Sequence, residues 1–353
     1  MNTEISSSSK KKFPKEYPDF SYKNYLSRFG IDAVVYQPKI TIVPGNFGNP
    51  VKVRIFKIKE KFVDVINQVL PEPQSSFLGG LLLGAKHSIP QVLTDQFNRT
   101  GTSHIVAISG YNITIIAAAV AWILQWLGMR KRFSFWVSLF AIVVFVIMTG
   151  ASASAVRAGF MGGLLLLALN TGRVSVAANS LAFTAALMLL INPQILAFDV
   201  GFQLSFAALL GIVYLSPLME PYFLWLPELL RKYFLATLAA QIFTLPILLY
   251  NFGQLSLVAI LPNILILPLV PVTMLFGFIT GLMGLVWVPL TIPVSGMTWF
   301  LLSFIIRIVG LFSSLPFAAV SWRADFYVVW LYYLVLCSFL SAWYWRRSRV
   351  FTP

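Results

Sequence analysis

The chain has 353 residues, with 26 lysines and arginines against 12 acids for a formal charge of +14, yet it is 58% hydrophobic, only 11% charged and has a mean hydropathy of +0.80. Too few polar side chains are present to cover a water-facing surface, which excludes a soluble globular enzyme, and the apolar content equally excludes disorder for most of the chain. A single cysteine, Cys337, rules out an internal disulfide, and two histidines, His87 and His104, are too few for a structural zinc site, so no metal or cofactor is expected.

Charge divides the chain in two. Eight of the twelve acids and half of the basic residues precede Asn98, leaving Asp199, Glu220, Glu228 and Asp325 for everything after it. Residues 1–12 (MNTEISSSSKKK) are polar, of low complexity and without the apolar core of a signal peptide, and are expected to form a disordered tail. Residues 13–75 read as an extramembrane segment: AVVY and KITIV are short strand-like runs split by Gln37-Pro38, and GNFGNP is a turn cluster. The run VRIFKIKEKFVDVINQVL then alternates before taking helical spacing, with Ile58, Phe62, Val65, Ile66 and Val69 on one face, which predicts an amphipathic helix at the membrane surface. Residues 77–85 are apolar but too short to span, and predict a re-entrant or interfacial piece.

A helix crosses the hydrocarbon core with roughly 17 to 25 apolar residues. That length marks 105–127, 133–149, 155–169, 176–191, 202–218, 234–250, 255–286, 288–314 and 327–345. The predicted fold is therefore an all-α polytopic membrane protein of about nine spans, some discontinuous, occupying 76–345 with a basic tail at 346–353. If each marked segment crosses once, Arg130, Lys131 and Arg132, then Arg173, then Arg231 and Lys232, then Arg346, Arg347 and Arg349 fall on one side. The excess of basic residues makes that side, and the C-terminus, cytoplasmic.

Chemistry in such a chain is sought where the bilayer would reject a residue. Arg157 and Arg307 lie inside marked spans, where an arginine costs about 2.5 to 3.5 kcal/mol on insertion scales. Facing water they would attract an anion; otherwise they snorkel or bond backbone carbonyls. Ser303, Arg307, Gly310 and Ser314 form one helical stripe, and Thr237, Gln241 and Thr244 another. Asp199 and Gln203 are four apart, and Gln203, Ala207 and Gly211 continue with small residues that admit a neighbouring helix. Ala155, Gly159 and Gly163 make a similar ridge beside Arg157, for which plain packing is the simpler reading.

Two places read as broken. In GTSHIVAISGYN, Gly101 and Gly110 with Ser103, His104, Ser109 and Asn112 interrupt an apolar run at its entry to the membrane. In LVAILPNILILPLVPV, Pro262, Pro268 and Pro271 remove backbone donors, which is tolerated only beside protein or a water-filled cavity and makes Asn263 a cavity candidate. Catalytic motifs are scarce. GGLLLGAKHS departs from a phosphate-binding loop by one residue, since Ala85 intervenes before Lys86, and no acid stands by His104 to orient it toward Ser109. No catalytic residue is assigned.

GTSHIVAISGYN, SASAVRAGFM, NPQILAFDVGFQLSFAALLGI and QIFTLPILLYNFGQLSLVAILPNILILP, in that order, resemble the competence domain of the ComEC family of DNA-uptake channel proteins. Upstream, FSYKNYLSRFGIDAVVY, LPEP and LLLGAKHSIP resemble the stretch joining that family's external domain to its channel. The resemblance runs from about Phe20 to the C-terminus and implies passage of a single DNA strand across the bacterial cytoplasmic membrane during natural transformation. It implies an external DNA receptor, a cytoplasmic helicase-like ATPase and a separate nuclease as partners, with a homo-oligomer as one possible assembly. Full-length relatives begin with further helices and an OB-like external domain, and many end in a metallo-β-lactamase-like domain; this chain is expected to lack most of both and not to hydrolyse DNA. It also carries Asn112 where the family pattern usually has histidine. The polar stripes make Arg157, Arg307, His104, Ser109, Asn112, Gln203, Gln241 and Asn263 candidates for lining the path. Two readings compete: a secondary transporter of a small anion, for which only Asp199 could carry a coupling ion, and a non-transporting remnant.

Overall fold

The computed structural model describes residues 49–85, 88–106, 110–172 and 176–350, together with Leu26, Ile31 and Val34. The N-terminal tail, nearly all of the AVVY and KITIV runs, Lys86, His87, Ser109 and Arg173 lie outside the described residues.

The longer helices are α1 (Pro50–Val69), α2 (Gln74–Leu83), α3 (Gln91–Arg99), α4 (Gly110–Trp126), α5 (Lys131–Met148), α6 (Ala153–Thr171), α7 (Ala177–Ile191), α8 (Val200–Leu210) and α9 (Glu228–Asn251). After the short strand β1 (Gln254–Ser256) come α10 (Ile260–Ile266), α11 (Leu269–Val286), α12 (Ile292–Ser313), strand β2 (Ala319–Ser321) and α13 (Phe326–Val350). Among the described residues, seven helices are long and apolar enough to cross a membrane: 131–148, 153–171, 200–223, 228–251, 269–286, 288–313 and 326–343. The protein is an all-α polytopic membrane protein. The other two marked spans are apolar helices of only 17 residues (α4) and 15 residues (α7).

Three elements differ from the sequence reading. Helix α1 begins at Pro50 with no strand before Phe62, because Asn49 caps it: its Oδ1 accepts from the Val51 amide at 3.0 Å, and Pro50 at the first position needs no donor. Ile58 points outward, and Phe62, Val65 and Ile66 form the buried face. The run at 255–286 is two helices, and all three prolines explain why. Pro262 and Pro271 sit in the first turns of α10 and α11, where amides have no intrahelical acceptor, and Pro268 precedes α11. Finally, of the two readings of 77–85 the interfacial one does not hold. Helix α2 starts at Gln74, just before the expected boundary at 75, and every residue from Ser75 to Leu83 is buried.

That burial follows from the side chains. After the polar first turn of QSSFLGGLLL, the run FLGGLLL is apolar all round, so it must be enclosed on every side. Helix α1 doubles back into α2, with Lys59 beside Leu83, and the hairpin lies against α11, α12 and α3. Phe77 packs against Phe97 of α3, the tilted rings 5.1 Å apart at their centres, and Leu78, Leu81 and Leu82 join Ile266, Val270, Met274, Leu302 and Ile305 in the main core. Helix α11 can approach because it presents glycine. A Cβ on Gly277 would stand 2.5 Å from Leu78 Cδ1, and one on Gly281 or Gly284 would collide with Phe62 or Val65. The threonines facing this seam bond within their own helices, Thr280 to the Phe276 carbonyl and Thr298 to Val294, and to each other at 3.0 Å.

The stripes of small residues pack as the spacing predicts. Ala155 is fully buried, Gly159 and Gly163 face Val146 and Leu139 of α5, and Gly211 opposes the Ala239 carbonyl of α9. Gly211 opens a π-helical turn (Gly211–Leu215), and the cause is two residues beyond it: Pro217 lacks an amide and would clash with the carbonyl four residues back. Strands β1 and β2 pair antiparallel, which puts the ends of α9 and α12 on one side of the bundle.

Helix α13 is mostly exposed and is tied to the bundle at a second proline. Pro246 inside α9 leaves the Ile242 carbonyl without its donor and loosens the next bond. Tyr332 Oη donates to Ile242 O at 3.0 Å and Tyr333 Oη to Phe243 O at 2.7 Å. Tyr332→Phe should cost about 1 kcal/mol of unfolding free energy in detergent. In a Pro246→Ala background, where an amide reaches Ile242, the same change should cost clearly less; equal costs in both backgrounds would refute the role given to the tyrosine.

Candidate functional site

Arg157 is the one sequence candidate held as an ion deep inside a span. Helix α6 carries it toward α8, where it is 6% exposed beside Phe206. Its Nη1 donates to the Ser205 carbonyl at 2.6 Å and its guanidinium carbon lies 6.0 Å from the Phe206 ring centre. Nε is buried with no hydrogen-bond partner among the described residues, and none of the described carboxylates forms an ion pair with the group. A buried guanidinium with one carbonyl bond keeps a donor that an anion would satisfy. Gln203, between Phe202 and Ser205 on α8, is directed elsewhere: its Nε2 donates to the Leu196 and Ala197 carbonyls at 2.8 and 3.1 Å, closing the turn Ile195–Phe198. Asp199 caps the start of α8 by accepting from the Phe202 amide.

The two broken stretches meet. Gly101, at φ +67°, turns the chain so tightly against β1 and α10 that a Cβ there would stand 2.7 Å from the Ala259 Cβ. Gln241 Nε2 donates to the Ser256 carbonyl at 3.1 Å, tying α9 to the same place, and Ser256 Oγ reaches Ala318 O. Asn263, 3% exposed on α10, keeps Oδ1 unbonded among the described residues, as does Gln241 with Oε1. His104 lies on the single turn Ser103–Val106, and Gly110 begins α4.

A second centre, not read from the sequence, is formed by the ends of α2. The last carbonyls of a helix have no intrahelical donor. Here Asn112 Nδ2, from α4, donates to Leu81 O at 3.1 Å, while Lys59 Nζ reaches Leu83 O at 3.0 Å and also Met148 O, the end of α5, at 2.8 Å. A cation at two helix C-termini suits both dipoles, and partial burial lowers the Lys59 pKa from the ordinary lysine value by desolvation. Gly84, at φ +69°, completes the C-terminal cap. At the other end the Glu72 carboxylate accepts from Ser75 and Ser76 at 2.8 and 2.6 Å, and Gln74 Nε2 donates to Ser303 of α12 at 2.8 Å. Asn112 therefore acts through an N–H donor, a role an imidazole can also fill. Arg307 stands apart, exposed on α12 one turn beyond Ser303.

The sequence pattern of the Competence protein family matches residues 81–347, which take in Arg157 and every other described candidate from His104 to Arg307, while Lys59, Glu72 and Gln74 of the second centre precede the match. This chain belongs to the ComEC competence-protein family. It is 28% identical over 270 residues to ComE operon protein 3 of Bacillus subtilis (strain 168), an alignment covering 75% of this chain and 33% of that protein. This chain thus spans about a third of the length of that relative. No solved structure matches it.

Proposed function

We propose that this ComEC-family chain forms a conduit through which a single DNA strand crosses the bacterial cytoplasmic membrane during natural transformation. The observation that carries the proposal is Arg157: a guanidinium buried inside a membrane-length helix, unpaired by any described carboxylate, with an unused donor. A polyanion needs cations along its way through a low-dielectric barrier, and fixed arginines supply them without the cost of moving water in. Family membership and seven membrane-length helices support the same reading. The basic loops at 130–132 and 231–232 give a cytoplasmic side on which the C-terminus of α13 also falls. An external DNA receptor would deliver the strand, a cytoplasmic helicase-like ATPase would draw it in, and a nuclease on another chain would remove its complement. The chain itself carries no catalytic role.

The test is uptake of labelled DNA in the organism that carries the gene, scoring surface-bound DNA separately from cytoplasmic single strands. Gene deletion and Arg157→Ala should each leave surface binding intact and reduce cytoplasmic strands to background, with the variant protein present at normal level. Arg157→Lys should recover only part, since a point charge does not reproduce the fork of donors. Normal internalisation after deletion would refute the conduit.

A further inference from the structure

Helix α12 turns Leu301, Leu302, Ile305 and Val309 into the core, and presents the opposite face outward. On that face Phe300, Phe304, Arg307 and Leu311 follow one another at i, i+4, i+7 and i+11, with Phe300 56%, Phe304 45% and Leu311 63% exposed. The two phenyl rings lie nearly parallel, 22° apart with centres separated by 6.4 Å. Arg307 is exposed beside them, and no described residue bonds or pairs with it. Beside it the helix surface is open, since a Cβ on Gly310 would meet nothing within 4 Å. A cation inside a membrane-length helix without a protein partner calls for an anion, and the neighbouring aromatic pair decides which kind.

Resting on the conduit reading above, we propose that this face of α12 is a contact strip for single-stranded nucleic acid, with Arg307 taking a backbone phosphodiester and Phe300 and Phe304 offering a stacking surface to bases. The shared chemistry is the phosphodiester, which a lipid headgroup also carries. What distinguishes the sources is the ring pair: a base gains from a flat aromatic face, whereas an acyl chain packs as well on leucine. The strip is separate from Arg157, which lies on α6 and bonds to α8.

The experiment compares Arg307→Ala, Phe304→Leu and the double change Phe300→Leu/Phe304→Leu in the uptake assay, with membrane levels of each protein measured. A photoreactive phenylalanine analogue at position 304 is then used to capture labelled single strands in transit. The proposal expects normal protein levels, a fall in cytoplasmic strands of about tenfold for Arg307→Ala and at least about threefold for the double leucine variant, and crosslinked DNA at position 304. Lipid contact alone predicts normal uptake by the leucine variants, crosslinks to lipid only and a lowered level of the Arg307→Ala protein, and that outcome overturns the strip. If deletion and Arg157→Ala abolish uptake while every α12 variant is normal, the strip fails and the conduit stands. If deletion itself is harmless, the conduit fails.

Discussion

Gly281→Ala is expected to destabilise the protein by about 2 to 3 kcal/mol, at the upper end for adding a single methyl to a packed seam. The reason is geometric. A Cβ at this position would occupy the space of the Phe62 ring, and Phe62 is itself held, 5% exposed, with its centre 5.8 Å from that of Phe278. Gly281→Leu should expel α1 altogether, making its residues accessible to protease in detergent. Gly310→Ala is the control: it lies in the next helix, its Cβ would meet nothing within 4 Å, and loss of glycine's backbone freedom should leave stability equal or slightly higher. Phe62→Leu alone opens a cavity, but combined with Gly281→Ala it should cost less than the two changes summed. Unfolding in a graded denaturing detergent measures each of these variants. Equal stability of Gly281→Ala and Gly310→Ala would show that α1 is not seated on the glycine stripe.

Lys59→Met should lower stability by about 3 to 4 kcal/mol, because one side chain serves two helix ends. Its ammonium donates to Leu83 O and Met148 O, and bonds involving a charged group contribute about 1.5 to 3 kcal/mol each. Methionine keeps the length and apolar stem while leaving both carbonyls unpaired. Lys57→Met, two residues earlier and exposed, should be neutral by comparison. Lys59→Arg should retain most of the stability, since a guanidinium also reaches two acceptors. Amide exchange adds a spatial readout: protection should fall first in α2 and at the end of α5. If Lys59→Met and Lys57→Met unfold alike, the double cap carries no weight.

How much of this was readable beforehand depended on whether the physics acts locally. A bilayer demands long apolar runs, so the spans at 133–149 and 288–314 stood out, and proline stripped of its amide marked the break before α11. The small residues at 155, 159 and 163 read as packing and do pack. Helix α2 did not declare its burial, because ten apolar residues look alike whether they skim a membrane or sit in the centre of a protein. Gly277, Gly281 and Gly284 were spaced plainly enough, yet their meaning lies in Phe62 and Val65, far away in the chain. Polar side chains were hardest to assign. Asn112, Gln203 and Gln241 interrupt apolar runs as ligands would, but each donates to a backbone carbonyl, and a carbonyl partner has no signature in sequence. For the same reason Ser205 could not be foreseen as the partner of Arg157.

The hairpin of α1 and α2 also constrains the order in which the molecule can be made. Gln74 and its partner Ser303 are 229 residues apart, and the seat for Phe62 and Leu78 is on α11. As the chain emerges from the ribosome, the hairpin is therefore synthesised long before the helices that enclose it, and at ten residues α2 is too short to be retained in the bilayer by itself. It must wait, exposed, until α11 and α12 have been inserted. Closing so long a loop is a slow step, so the hairpin docks only after α12 has been made, and any nascent chain ending before residue 313 is left with α2 unhoused.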